Sequence, residues 1–126
     1  MTVEYIKAFA FLQEVNAAGR LWVARSVYKN IYAQEVGDGE YSLPVWSTKE
    51  RVVEYLKNAR PLGPKYEPDE VPLDVFTGAW LSDVRMNISE VQINPDGRST
   101  RVLVLTNEEF TAAQAESNRV DRADRL

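Results

Sequence analysis

The chain has 126 residues, of which 44% are hydrophobic, carries a net charge of −4, and contains neither histidine nor cysteine. This chain alone therefore cannot form Ser–His or Cys–His triads, histidine or thiolate zinc sites, or iron–sulfur clusters. The acidic balance argues against binding nucleic acid, which depends on a basic surface. The length predicts one domain over residues 1–126.

The N-terminal sequence lacks the features of a secretory signal. Residues 1–5 contain no basic segment, and Lys7 and Gln13 interrupt the apolar residues that follow. No stretch is apolar and long enough to span a bilayer. We therefore expect a cytoplasmic protein that does not bind membranes.

Helical periodicity dominates the segment 2–18. Gly19 is expected to end this helix. Ile6 lies off the apolar stripe and is expected to be exposed. The stripe predicted to face the core consists of Tyr5, Ala8, Leu12 and Val15.

Three strands are predicted next, over 21–28, 32–35 and 41–46, because these segments are rich in β-branched and aromatic residues. The glycines of 37–39 supply the turn between the second and third strands. Pro44 favours an edge position or a strand end, because proline cannot donate a ladder hydrogen bond.

Two helices with a connector between them are predicted in the middle of the chain. Ser47 and Glu50 form a capping box that starts a helix, and the proline-bearing segment 60–72 is expected to be irregular. A further helix is expected to begin near Leu73 or Asp74. Two apolar faces are predicted to be buried: Val52, Tyr55, Leu56 and Ala59 in the first helix, and Leu73, Phe76, Trp80 and Val84 in the second.

The C-terminal third predicts a strand around Val91 and Ile93, a turn at 94–97 and a strand over 100–105. The last strand is apolar on both faces, so either helices cover both faces or another subunit covers one. Thr106 and Glu109 form a second capping box. They begin a terminal helix over 107–126, which partly frays or rests on a neighbour.

These elements predict an α+β fold in the order α-β-β-β-α-α-β-β-α. The expected core is an antiparallel or mixed sheet of about five strands packed with about four helices.

Five segments of the sequence carry a family resemblance. They are Gly19–Trp22, Leu43–Glu50, Tyr66–Pro68, and Val71–Phe76 with Trp80-Leu81. Together they resemble a family of small bacterial proteins catalogued as domain of unknown function 2750, over the span from Tyr5 to Leu105. The resemblance implies an α+β fold and no assigned activity, so no catalytic residue is carried over. The strand that leads into a capped helix is more distantly similar to enhanced-serine-sensitivity N-terminal domains and to bacterial immunity proteins.

Trp46 is the first candidate binding residue. It precedes the Ser47 cap, where an apolar partner is expected four residues into the helix, but that position is Arg51. The indole therefore stacks on the arginine stem, stays free for a ligand, or packs in the core.

A second candidate site combines aromatic and acidic residues. The sequence predicts a hairpin surface suited to a basic protein partner, formed by Tyr28, Tyr32 and Tyr41 with the acidic turn at Glu35, Asp38 and Glu40. The function favoured by the sequence is a non-enzymatic interaction module, of which an immunity or antitoxin-like protein is the sharpest version. The alternative is a small-molecule-binding or enzymatic domain with a pocket near Trp46 and Tyr66.

No carboxylate pair lies in a setting that predicts catalysis, and we expect neither a metal ion nor a cofactor. The predicted strand over 100–105, which is apolar on both faces, and the exposed Ile6 suggest a homodimer as an alternative.

Overall fold

The computed structural model describes residues 3–124, with side chains over 5–120. Within that range the chain has an α+β fold with four helices and six strands in two sheets. The helices are α1 (Val3–Ala18), α2 (Lys49–Asn58), α3 (Leu73–Val75) and α4 (Asn107–Asp124). The strands are β1 (Arg20–Ser26), β2 (Gln34–Gly37), β3 (Glu40–Val45), β4 (Tyr66–Pro72), β5 (Ile88–Ile93) and β6 (Leu103–Thr106).

The larger sheet has the strand order β2-β3-β5-β6 and is mixed. Strands β3 and β5 run parallel, whereas the other two pairs are antiparallel. The register aligns Leu43 with Val91 and Val91 with Leu105. These side chains share one face of the sheet, where they join the main hydrophobic core with residues of α1 and α4.

The smaller sheet corrects the expectation of an irregular connector over 60–72. Strand β4 pairs antiparallel with β1, with Leu21 opposite Val71. Its two prolines are tolerated because β4 has β1 as its one partner and is therefore an edge strand. Ion pairs Arg20–Glu70 and Arg25–Asp69 link the two strands.

Pro44 is fully buried in β3, which is an inner strand of the larger sheet rather than an edge strand. Pairing with β2 extends as far as Ser42, and a bridge to Trp22 of β1 forms at Trp46. Pro44 lies between these two contacts, where β5 is the partner that the register gives it. The missing N–H is thus accommodated at a local gap in the ladder.

The predicted end of α1 at residue 18 is confirmed, while its predicted first residue, Thr2, lies outside the described residues. Gly19 has φ +72° and its N–H donates to the Val15 carbonyl at 2.8 Å. Leu12 and Val15 are buried as expected, and Ile6 is exposed. Tyr5 was expected in the core but is 57% exposed, because the buried part of the helix begins only at Phe11.

Helix α2 is capped by Thr48, one residue later than predicted. The Thr48 hydroxyl accepts from the Arg51 N–H at 3.3 Å. Ser47 is instead buried, and its own N–H donates to the Asn94 side-chain oxygen at 2.9 Å. A contact with the β5–β6 loop therefore takes Ser47 out of the capping role. The face formed by Val52, Tyr55 and Leu56 is buried as predicted, with Ala59 partly buried.

Helix α3 continues into a π-helical turn, Phe76–Trp80, which the Leu81 N–H closes by donating to the Phe76 carbonyl at 3.1 Å. Leu73 and Phe76 are buried and Trp80 is partly buried. Val84 was expected on the same buried stripe but is 89% exposed. The helical path ends before Val84, so the periodicity no longer applies there.

The second capping box is confirmed at the start of α4. The Glu109 N–H donates to the Thr106 hydroxyl at 3.1 Å, and the Thr106 N–H donates to the Glu109 carboxylate at 2.8 Å. Helices do not cover both faces of β6: Val102 and Val104 are 37% and 41% exposed, whereas Leu103 and Leu105 pack against the core. Coverage by a second subunit stays a prediction.

Candidate functional site

The β2–β3 turn presents three exposed carboxylates, Glu35, Asp38 and Glu40, which we call the acidic hairpin. In the part of the chain that the structure describes, none of them forms an ion pair with lysine or arginine. The Gly39 N–H donates to the Glu35 carboxylate at 3.2 Å, and the Asn87 amide donates to the Gly39 carbonyl at 2.6 Å. The turn is therefore fixed by hydrogen bonds, while its charges face solvent.

The predicted tyrosines divide between two places. Tyr41 is half-buried in β3, opposite Glu35, and so adjoins the acidic hairpin. Tyr32 precedes β2 and packs instead in an aromatic cluster with Tyr55 and Tyr66, at centroid distances of 6.3 and 5.4 Å. The structure thus brings Tyr41, Asp38 and Glu40 together and places Tyr32 and Tyr66 elsewhere.

Trp46 is fully buried in that same aromatic cluster, with its ring 5.1 Å from that of Tyr55. Its indole N–H donates to the Pro95 carbonyl at 2.8 Å. The core-packing alternative is therefore confirmed. An indole left free for a ligand does not match this placement, because both its faces and its N–H are engaged within the fold. Burial, together with a hydrogen bond to the Tyr32 hydroxyl, raises the pKa of Tyr55.

Tyr66 also borders an open cleft of about 370 Å³ at the end of the β1–β4 sheet. Trp46 is not among the residues that line this cleft. The cleft lining comprises Ser26, Val27, Tyr28, Asn30, Pro64, Lys65 and Tyr66.

A larger apolar groove of about 520 Å³ lies between α1, β6 and α4. Phe9 and Leu12 from α1 and Leu103 and Leu105 from β6 contribute apolar walls, and Glu116 of α4 also lines it. The sequence signals nearest to this groove are the two-faced strand and Ile6. The groove itself was not predicted, because it depends on how the two helices pack.

The opposite face of the larger sheet carries a polar network that the sequence analysis missed. The Gln92 amide donates to Gln34 at 2.8 Å and to the Ser42 hydroxyl at 3.0 Å, and that hydroxyl donates to Glu90 at 2.9 Å. Ser42 and Gln92 are buried. Because these groups satisfy one another, none of these buried polar side chains lacks a hydrogen-bond partner.

Two further environments shift the pKa of a surface group. Hydrogen bonds from the Ser99 and Arg98 backbone N–H groups lower the pKa of Asp96. The hydrogen bond between Arg119 and Glu116 lowers the pKa of the carboxyl and raises that of the guanidinium. Over the described range, acidic side chains do not gather in a group of three or more that would hold a metal ion. No helix in that range is long and apolar enough to cross a membrane.

Comparison with models of protein families gives a match. A family model described as a protein of unknown function (DUF2750) matches residues 8–113, which is most of the chain. No curated protein matches it.

Proposed function

The chain belongs to this family, whose description assigns no activity, and on that premise we propose that the protein is a non-enzymatic interaction module that binds a basic protein partner through the acidic hairpin. The observation that carries the proposal is the presence of three exposed carboxylates, without ion pairs to described residues, on one hydrogen-bonded turn.

The geometry of the turn supports this role. A loop already held in place loses less conformational entropy when it binds, so more of the interaction energy appears as affinity. Like charges on one side accelerate encounter with a basic surface. Tyr41, half-buried beside the carboxylates, adds an aromatic contact of the type enriched in interfaces.

The described titratable groups whose pKa values are shifted have structural partners. Tyr55 is part of the aromatic cluster, Asp96 caps a turn, and Glu116 is paired with Arg119. Perturbed groups that face a second acid or base across a cleft would favour an enzyme, and these three groups have structural partners instead.

The sharpest version of the proposal is an immunity-like or antitoxin-like protein that masks a basic partner. The net charge of −4 supports it, and the distant similarity to immunity proteins stays a prediction from the sequence. A small ligand in the Tyr66 cleft is the alternative. The cleft is lined by one lysine and two tyrosines among others, but by no fully buried polar group that would fix the orientation of a ligand.

The test is affinity capture from native lysate with three proteins: wild type, the hairpin variant Asp38→Lys with Glu40→Lys, and the control Glu14→Lys with Glu54→Lys. Both variants change the net charge equally, and the control residues are exposed on α1 and α2. We expect wild type and control to retain the same basic protein at low salt. The hairpin variant should lose it, and added salt should weaken capture, because charge–charge contacts at a surface are screened.

Equal retention by the hairpin variant and wild type would contradict the proposal. So would a captured protein that is not basic. Far-ultraviolet circular dichroism of all three proteins checks that the substitutions leave the fold intact.

A further inference from the structure

Strand β6 forms one edge of the larger sheet and exposes apolar side chains on both faces. In the described part of the chain no strand pairs with its outer edge. Val102 and Val104 are exposed at 37% and 41% on the face opposite the helices. On the other face Leu103 and Leu105 form part of the apolar groove. An exposed apolar edge of this type is a template for pairing with another strand.

The opposite edge of the same sheet is protected. Strand β2 carries the charged Glu35, and a register shift between Glu35 and Gly37 disrupts its ladder. Bulges and charges on edge strands prevent unwanted pairing. Within Leu103–Thr106 neither device is present. This contrast indicates that the β6 edge is used rather than protected.

The sequence of β6 is complementary to itself in one antiparallel register. Centred on Val104, the pairing sets Val104 opposite its own copy, Leu103 opposite Leu105, and Val102 opposite Thr106. Cross-strand pairs of β-branched and apolar residues of this kind stabilise a sheet. The two-fold symmetry closes the contact, so the assembly stops at a dimer.

Charge complementarity is compatible with the same register. Arg101 would lie opposite Asn107 of the second copy, beside Glu108 at the start of α4. Arg101 is exposed and forms no ion pair with another described residue. Centring on Leu103 would instead place Arg101 opposite an apolar leucine. Centring on Val104 therefore pairs apolar residues with one another and places Arg101 near a carboxylate.

We propose that two copies of this chain associate through antiparallel pairing of their β6 strands about Val104, forming one continuous eight-stranded sheet. Each strand then adds its own Leu103 and Leu105 beside the apolar groove of the other. The pairing uses the sheet edge opposite the acidic hairpin, so it does not depend on the proposed binding of a basic partner.

The absence of cysteine from the chain allows a direct test by disulfide trapping. Paired residues of antiparallel strands have Cα atoms about 4.5–5.5 Å apart, which suits a disulfide. Val104→Cys should therefore cross-link to its copy. Val102→Cys is the matched control: it has similar exposure on the same face, but its copy would be about 13 Å away, four strand residues along.

At about 10 µM protein, Val104→Cys should oxidise to a dimer on the order of 100-fold faster than Val102→Cys, because thiols held together have millimolar effective concentration. Wild-type protein should show twice the 14.3 kDa chain mass by light scattering. Equal, slow cross-linking of the two variants, or a wild-type monomer at that concentration, would overturn the proposal.

A charge swap gives a second test that needs no cysteine. The Arg101→Glu variant should contain more monomer than wild type. The double variant Arg101→Glu with Glu108→Arg should be dimeric again. Failure of the double variant to restore the dimer would contradict the proposed register. The hairpin variant Asp38→Lys with Glu40→Lys should remain dimeric, which separates this test from that of the basic partner.

Discussion

At the scale of single residues, Trp46 is an anchor of the fold. It combines full burial with a hydrogen bond to Pro95, and so it ties the end of β3 to the loop that follows β5. Asn94 acts at the same junction by accepting from the Ser47 N–H. Two side chains therefore hold the region where both sheets meet α2.

Replacing Trp46 should test this role. We expect Trp46→Ala to lower the free energy of unfolding by about 3–5 kcal/mol, through lost burial and a cavity. Trp46→Phe should cost less but leave the Pro95 carbonyl without its donor, a loss of about 1–3 kcal/mol. Urea unfolding measures both. The control Val84→Ala, at a position 89% exposed, should stay within about 0.5 kcal/mol of wild type, and a similarly small effect of Trp46→Ala would refute the anchor role.

Asp96 should make stability depend on pH. Its carboxylate accepts the N–H groups of Arg98 and Ser99, and these bonds lower its pKa below the ordinary value of 3.8. Since the folded state favours the ionised form, the stabilisation is complete above pH 3.8 and is lost as pH falls through the lowered pKa. Asp96→Ala should therefore be less stable than wild type at neutral pH.

The gap in unfolding free energy between wild type and Asp96→Ala should narrow as the pH falls below 3.8, which urea titrations at a series of pH values would measure. The matched control is Asp38→Ala, which removes a carboxylate that accepts no hydrogen bond among the described residues. A gap that stays constant with pH would rule out the proposed linkage.

At the scale of secondary structure elements, local signals predicted what local interactions determine. The Thr106–Glu109 capping box and the Gly19 helix end need only neighbouring residues, and both are confirmed. The Ser47 cap was wrong by one residue because Asn94, distant in sequence, binds Ser47. Strand β4 was not predicted because it contains two prolines and three acidic residues, which are residue types uncommon in strands. Its stability comes from pairing with β1, which the sequence of β4 alone does not reveal.

The position of the α2 cap can be tested by alanine substitution. Thr48→Ala should lower the free energy of unfolding by about 1 kcal/mol, since the Arg51 N–H loses its acceptor. Thr48→Ser should retain most of that stability. Ser47→Ala should cost less than Thr48→Ala, because the main contact of Ser47 is made by its backbone N–H. Thermal and urea unfolding would measure these effects. A larger loss of stability in Ser47→Ala than in Thr48→Ala would indicate that Ser47 caps the helix.

In the candidate site, too, the features that depend on neighbouring residues were predictable, and those that depend on tertiary packing were not. The acidic turn is a local feature, and the structure places Asp38, Glu40 and Tyr41 together. Tyr32 and Tyr66 belong to an aromatic cluster assembled from three parts of the chain, which local sequence did not reveal. The apolar groove and the polar sheet network likewise depend on tertiary packing and register.

At the scale of the whole molecule, the two proposed contact surfaces lie at opposite edges of the larger sheet. The acidic hairpin belongs to the β2 edge, and the proposed dimer contact uses the β6 edge. A dimer through β6 would therefore carry one acidic hairpin at each end of an eight-stranded sheet. Such a dimer would engage two basic sites at once, which raises overall affinity where the geometry permits both contacts.

Carboxyl footprinting would measure directly whether the acidic hairpin contacts a partner. The protein is labelled with a carbodiimide and a small amine, in buffer and in native lysate, and each modified residue is quantified by mass spectrometry. We predict that Asp38 and Glu40 are protected in lysate at low salt and regain labelling when salt is added. Glu14 and Glu54 should label equally in every condition. Hairpin carboxylates that label as fast in lysate as in buffer would show that the hairpin does not contact a partner.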